Sequence, residues 1–252
     1  PFGAQGFAGV PLRLFRMAKN IPNADIYHCR SDLPVAALAL RRKKPFLWDV
    51  RSLWYEQKLI IEGRAPFGII YKLARILEKF AAVNAAAVNV LASPLLRELE
   101  KRNDCVLEIT SVIPTCVDLE EFKLDAKTPK EAKILLSGTL NNFYDIESTI
   151  HIVQAFQKMG FRVEWARGRE SNRSEEIDDD IEVIESEYWQ MPKLISRASF
   201  GIAICRTDCP EVLKGVMPTK IAEFLAIGRP VIISQGMGDL DELISKSRTG
   251  LI

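Results

Sequence analysis

Val216-Met217-Pro218-Thr219-Lys220-Ile221-Ala222-Glu223-Phe224-Leu225-Ala226-Ile227-Gly228-Arg229-Pro230-Val231-Ile232-Ile233 decides how the rest of this chain is read. Ile221, Phe224 and Leu225 recur at helical spacing, Gly228-Arg229-Pro230 stops the helix, and Val231-Ile232-Ile233 reads as a buried strand. Pro218 opens the expected helix, where its missing N–H costs nothing because the first N–H groups have no intrahelical partner. The N–H groups that remain, with Lys220 beside them, suit a diphosphate. Glu223 stands about one turn further in, placed to accept hydrogen bonds from ribose hydroxyls. A nucleoside diphosphate makes both demands.

Outward from this stretch, strands and helices alternate. The pattern predicts helices over residues 10–19, 33–40, 67–84, 93–101, 145–159, 188–197 and from 240. It predicts strands over 25–29, 45–50, 87–91, 109–113, 133–137, 161–166, 181–184, 200–205 and 230–233. Such alternation means parallel sheet flanked by helices. Residues 114–130 are polar, carry Pro114 and Pro129, and read as a linker. The expected organisation is therefore α/β, with two Rossmann-like domains facing a cleft: residues 1–125, an incomplete N-terminal domain, and residues 126–252. Pro1 opens in a glycine-bearing stretch (Gly3, Gly6, Gly9) and Ile252 follows a turn entering a strand, so the chain reads as a fragment truncated at both ends.

Composition narrows the classes. The 252 residues are 48% hydrophobic and 27% charged, enough to bury a core and unlike a disordered chain. The 34 basic and 33 acidic residues nearly cancel, which argues against broad nucleic-acid binding. Five scattered cysteines, of which only Cys205 and Cys209 are near each other with no histidine close to that pair, give neither a zinc pattern nor a disulfide framework, and suit a reducing cytosol. No apolar run is long enough to span a bilayer.

Two segments carry a resemblance to a known family. Ser111-Val112-Ile113-Pro114-Thr115-Cys116-Val117-Asp118-Leu119-Glu120-Glu121-Phe122 resembles the hinge entry of GT-B glycosyltransferases of the retaining family four. The stretch from Pro218 to Ile232 is similar to that family's donor-binding helix and following strand. Gly236-Met237-Gly238-Asp239 falls where the family has a glycine-and-acid loop. The resemblance implies transfer of a sugar from a nucleoside-diphosphate sugar to an acceptor hydroxyl, with retained configuration, no cofactor and no metal. It also implies a C-terminal donor domain and an N-terminal domain for a glycan or lipid-linked acceptor. The chain departs from the pattern at two places. The family's first glutamate, eight positions before Glu223, is Gly215, and the usual basic residues after the first C-terminal-domain strand are replaced by Gly138-Thr139-Leu140-Asn141-Asn142. A non-catalytic nucleotide-sugar-binding scaffold therefore stands as an alternative, with a sugar-nucleotide 2-epimerase behind it.

The candidate donor-binding residues are Gly138, Thr139, Arg167, Arg206, Pro218, Thr219, Lys220 and Glu223, with Lys214 held in reserve for phosphate. Gly138 and Thr139 end a strand where backbone can approach a phosphate. Lys220 and Arg51 are the candidate catalytic residues. Arg51 follows Trp48-Asp49-Val50 at a strand end, where a guanidinium clamps an anion with two parallel bonds or, alternatively, pairs with Asp49. Arg30 stands at the same level. His28 is read as a packed strand residue and His151 as a surface one. Arg41-Arg42-Lys43-Lys44 with Arg13, Arg16 and Lys19 reads either as a solubilising face or as a peripheral contact with anionic lipid at the inner membrane face.

Overall fold

A computed structural model describes residues 10–40, 45–63, 68–125, 127–168 and 180–252. The glycine-bearing start, the basic run 41–44, Arg169 and nearly all of the acidic loop 170–180 lie outside the described residues. Two compact units form: one reaches Leu59 and resumes before Ile69 to end at Pro114, and the other holds Thr115–Ile252 with Ile60–Gly63.

The first unit runs α1 (Val10–Asn20), β1 (Tyr27–Arg30), α2 (Asp32–Ala39), β2 (Phe46–Val50), α3 (Trp54–Ile61), α4 (Ile69–Asn84), β3 (Ala87–Val90), α5 (Ser93–Asn103) and β4 (Thr110–Val112). Its four strands pair in parallel in the order β1-β2-β3-β4. Cys29, Trp48, Val50, Val88 and Val90 are buried on one face of this sheet. Pro94 sits in the first turn of α5, and Asp104 closes that helix in the left-handed region at φ 51°.

Two features of this unit differ from the sequence reading. The short helix α3 was not expected, because Trp54, Tyr55, Leu59, Ile60 and Ile61 cluster rather than recur at a helical period. On α4 the period holds, yet Ile69, Leu73, Ile76 and Val83 are exposed, while Glu78, Ala81 and Ala82 are buried. Glu78 is drawn inward by charge: Arg75 pairs with it, Arg102 Nε lies 3.2 Å away, and Asn103 Nδ2 donates to it at 2.8 Å. Arg102 also pairs with Glu56, so one charged cluster ties α3, α4 and α5 together.

The second unit runs β5 (Lys133–Ser137), α6 (Ile146–Lys158), β6 (Arg162–Arg167), β7 (Glu182–Glu185), a 3₁₀ turn (Tyr188–Gln190), α7 (Met191–Arg197), β8 (Phe200–Ala203), α8 (Pro210–Leu213), α9 (Thr219–Ala226), β9 (Val231–Ile233), α10 (Leu240–Ser247) and β10 (Gly250–Leu251). All six strands are parallel, in the order β10-β9-β8-β5-β6-β7. The order reverses between β5 and β8, and ligands in open α/β sheets bind beyond the strand ends at such a point. Ile134, Leu136, Val153, Val163, Trp165 and Ile202 form its core, with the Phe156, Phe161 and Phe200 rings packed against it in tilted and edge-to-face contacts.

The expected helix 188–197 is divided. Glu187 and Gln190 cap each other across the 3₁₀ turn, and α7 restarts at Met191 with Pro192 in its first turn. The four-residue α8 was also not expected. Pro218 does not open α9 but precedes it in an extended conformation, φ −66° and ψ 132°. Gly201 seats α9: a Cβ there would meet the Phe224 ring at 2.6 Å. Gly228, at φ 72°, turns the chain from α9 toward β9.

Asp32, in the first turn of α2, is buried and accepts from Trp48 Nε1 at 3.1 Å and Trp54 Nε1 at 2.5 Å. Burial, with Glu78 adding to it, pushes its carboxyl up to about 7 against the indole bonds. Its folded pKa lies above the unfolded value, so the folded state holds an extra proton between roughly pH 4 and 7. Stability from this group is therefore full below about pH 4 and is lost as pH rises to about 7, by roughly 4 kcal/mol in all. Urea unfolding at pH 5 and pH 8 is expected to show a smaller loss for Asp32→Asn than for wild type. An equal loss in both would show that Asp32 is not the group responsible.

Candidate functional site

The second sheet and its helices enclose a cavity of about 440 Å³ at the carboxyl ends of β5, β6 and β7. Ser137 and Gly138 line it from β5, Ala166, Arg167 and Gly168 from β6, and Ser186, Glu187 and Tyr188 from the turn after β7. Tyr144, Met191 and the start of α9 (Pro218, Thr219, Lys220, Glu223) complete the wall.

Sequence dictates why this end of α9 is open. Pro218 has no side chain able to cap the helix, and the first turn carries no acid to neutralise its N–H groups. The helix is seated by Ile221 and Phe224, which are buried, so Lys220 and Glu223 are left for the cavity side. Lys220 Nζ is wholly buried and, among the described residues, has no hydrogen-bond partner; it sits 4.2 Å from the centre of the Tyr144 ring. Ser137 Oγ on the same wall is likewise buried without a partner. An orphaned buried amine is costly, and a cation over an aromatic face recovers only part of that cost.

The electrostatics follow from this burial. Desolvation pulls the Lys220 amine down to about 8, against the opposing charges of Cys205 and Glu223. Burial raises the Glu223 carboxyl, with Lys220 acting against it. Burial also raises the Tyr144 phenol, and pushes the Cys205 thiol up to about 12. Gly138 turns at φ 77°, its N–H donating to Ala166 O at 2.8 Å and its carbonyl accepting from Trp165 Nε1 at 2.8 Å. The Arg167 guanidinium lies 5.2 Å over the Trp165 ring.

The cavity thus unites Gly138, Arg167, Pro218, Thr219, Lys220 and Glu223. Thr139, although next to Gly138, is exposed and not part of the wall. Arg206 is not in it either: its guanidinium is held by Asp208, two residues on, beside a separate groove with Asp145 and Glu147. Lys214 is half-buried outside the wall. Arg51 belongs to the first unit, 4.0 Å from Asp49. His28 is not a packed residue: its side chain is 62% exposed and its Nε2 faces Asp49 Oδ2 at 3.3 Å. His151 is exposed, as read from sequence. Tyr144, Ser137 and Tyr188 were missed, since Ser137 and Tyr144 come from the end of β5 and the connection after it, Tyr188 from the turn after β7, and no motif joins them. Among the described residues no three His, Cys, Asp or Glu side chains are grouped as metal ligands.

No family model and no curated protein matches the sequence. Solved structures do. The chain is similar to a sucrose-phosphate synthase from Thermosynechococcus elongatus, with a TM-score of 0.73 and 18% identity, covering 100% of this chain and 67% of that one. It is similar to TarM of S. aureus at a TM-score of 0.65 and 11% identity, covering 96% of this chain and 48% of that one. An α,α-trehalose 6-phosphate synthase from Burkholderia multivorans gives 0.61 and 12% identity, with 96% and 65% covered. The fold is that of the GT-B glycosyltransferases.

The pKa of Lys220 carries a stability consequence. Its folded value lies below the unfolded one, so its burial is destabilising below about pH 8 and this penalty fades between roughly pH 8 and 10.5. Lys220→Met, which keeps the length without the charge, is expected to be more stable than wild type at pH 7 by roughly 1–3 kcal/mol, with the gap closing at pH 10. Chemical denaturation at both pH values measures this; a variant less stable at pH 7 would contradict the buried, unpartnered amine.

Proposed function

We propose that this chain transfers a sugar from a nucleoside-diphosphate sugar to an acceptor hydroxyl. The observation that carries the proposal is the buried, unpartnered Lys220 amine beside the uncapped start of α9, one turn from Glu223, on the wall of a cavity at the sheet's reversal point. The fold adds support, as does the presence of UDP in a structure of S. aureus TarM, although that likeness is one of fold only.

In this reading the diphosphate lies against the N–H groups of Thr219 and Lys220 and the Lys220 ammonium. Glu223 takes the ribose hydroxyls, and the backbone at Gly138 borders the phosphates. As the glycosidic bond breaks, charge grows on the leaving diphosphate. Lys220 and the helix N-terminus stabilise it there. Arg167 is the second cation at the wall. The first unit holds the acceptor, with Arg51 at its strand end. Retention of configuration and transfer without a metal belong to the proposal through the family resemblance.

Gly215 and the uncharged stretch after β5 favour a second reading, a scaffold that binds nucleotide sugars without turnover. Release of nucleoside diphosphate from a panel of nucleotide sugars, with and without acceptors, separates the two readings.

Among uridine, guanosine and adenosine diphosphates, at least one is expected to raise the melting temperature by on the order of 5 °C at a hundredfold excess over its Kd. Glu223→Ala is expected to remove most of that rise. A flat response to all three nucleotides, in a folded protein, would sink the proposal.

A further inference from the structure

The first sheet carries a second cluster of charge that the donor cavity does not use. Side chains alternate along a strand, so His28 and Arg30 of β1 share a face with Asp49 of β2, Asn89 of β3 and Ser111 of β4. The register sets Arg30 opposite Asp49, Asp49 opposite Asn89, and Asn89 opposite Ser111. These positions fall at or near the carboxyl ends of β1, β2 and β3, where parallel sheets bind ligands.

One polar chain runs through them. Ser111 Oγ donates to Asn89 Oδ1 at 3.0 Å, and Asn89 Nδ2 donates to Asp49 Oδ1 at 2.8 Å. Asp49 Oδ2 faces His28 Nε2 at 3.3 Å, and Arg51 Nη1 lies 4.0 Å from Asp49 Oδ1. Asp49 and Asn89 are buried, whereas His28 and Arg30 are exposed and Arg51 is partly so. The carboxylate is thus a fixed base, and the cationic groups stand above it toward solvent. Among the described residues, a contact of 4.0 Å leaves the planar fork of Arg51 unused. The Arg51 guanidinium and the His28 imidazole lie beside the carboxylate, and the register sets Arg30 opposite it; the two arginines and Asp49 sum to one positive charge, or two when the imidazole carries its proton.

We propose that this face binds a phosphomonoester through His28, Arg30 and Arg51, with Asp49 and Asn89 holding His28 and Arg51 in position. A phosphate dianion offers three oxygens, enough for all three donor groups, and matches the excess charge; a carboxylate offers two oxygens and one charge. That the phosphate belongs to the acceptor, a phosphorylated hydroxyl compound, rests on the glycosyl-transfer reading above. The anion site itself does not.

The chain has two histidines, so ring-proton NMR gives two resolvable sets of signals, with His151 on α6 as the internal reference. At constant ionic strength, inorganic phosphate and glucose 6-phosphate are expected to move the His28 signals saturably. Glucose and acetate at equal concentration are expected to leave them in place, and His151 is expected not to respond. Arg51→Gln and Arg30→Gln, both at solvent-accessible positions, are expected to weaken phosphate binding about tenfold each, the loss of one charge-assisted contact. Static His28 signals, equal movement of both histidines, an equal effect of acetate, or unchanged affinity in both folded variants would each overturn the proposal. No nucleotide is present, so failure here leaves the donor site untouched. Failure of nucleotides to stabilise the protein would leave this site standing and remove only its assignment to an acceptor.

Discussion

A lysine ammonium buried without a hydrogen-bonding partner is the constraint on which the second unit turns. Its cost is tolerated only if the surrounding structure holds it there, and several features do. Gly201 lets the Phe224 ring lie against β8, so α9 cannot rotate Lys220 outward without losing that packing. Tyr144, fixed by its bridge to Cys205, supplies the aromatic face beneath the amine. Ser137, also unpartnered, faces the same space. Among the described residues, two polar atoms on this wall have no partner, the condition under which a polar group entering the cavity gains most.

Topology explains why these groups meet. In the order β10-β9-β8-β5-β6-β7 the chain leaves β5 in one direction and returns through β8 in the other. The loops after β5, β6 and β7 and the start of α9 therefore open on one crevice, each contributing backbone or a side chain. The first unit, ordered β1-β2-β3-β4 without reversal among the described residues, presents polar side chains along one face of its strands.

Much of this was legible in the sequence. Parallel strands buried on both faces read as continuous apolar runs, so β5, β8 and β9 stood out, and the stretch around Lys220 named its own helix. The rest needed three dimensions. The indoles that hold Asp32 lie 16 and 22 residues further on. Arg206 has the residue type of a phosphate ligand, but Asp208 holds it, and His28 sits in a strand with its ring exposed rather than in the core. On α4 the period gave the helix but not its buried face, because paired charges at Glu78 and Arg102 displaced aliphatic side chains from the interior. Residue type gave chemistry; which neighbour neutralises it is a property of packing.

If the Lys220 amine is partly neutral before a ligand arrives and fully charged against a diphosphate, binding must take up a proton. Isothermal titration of uridine, guanosine and adenosine diphosphates at pH 8.5, in two buffers of different ionisation heat, counts that proton. The account predicts uptake of a substantial fraction of one proton for the nucleotide that binds, and its disappearance in Lys220→Met. Binding without proton uptake, uptake that survives in Lys220→Met, or no binding by any of the three would contradict it.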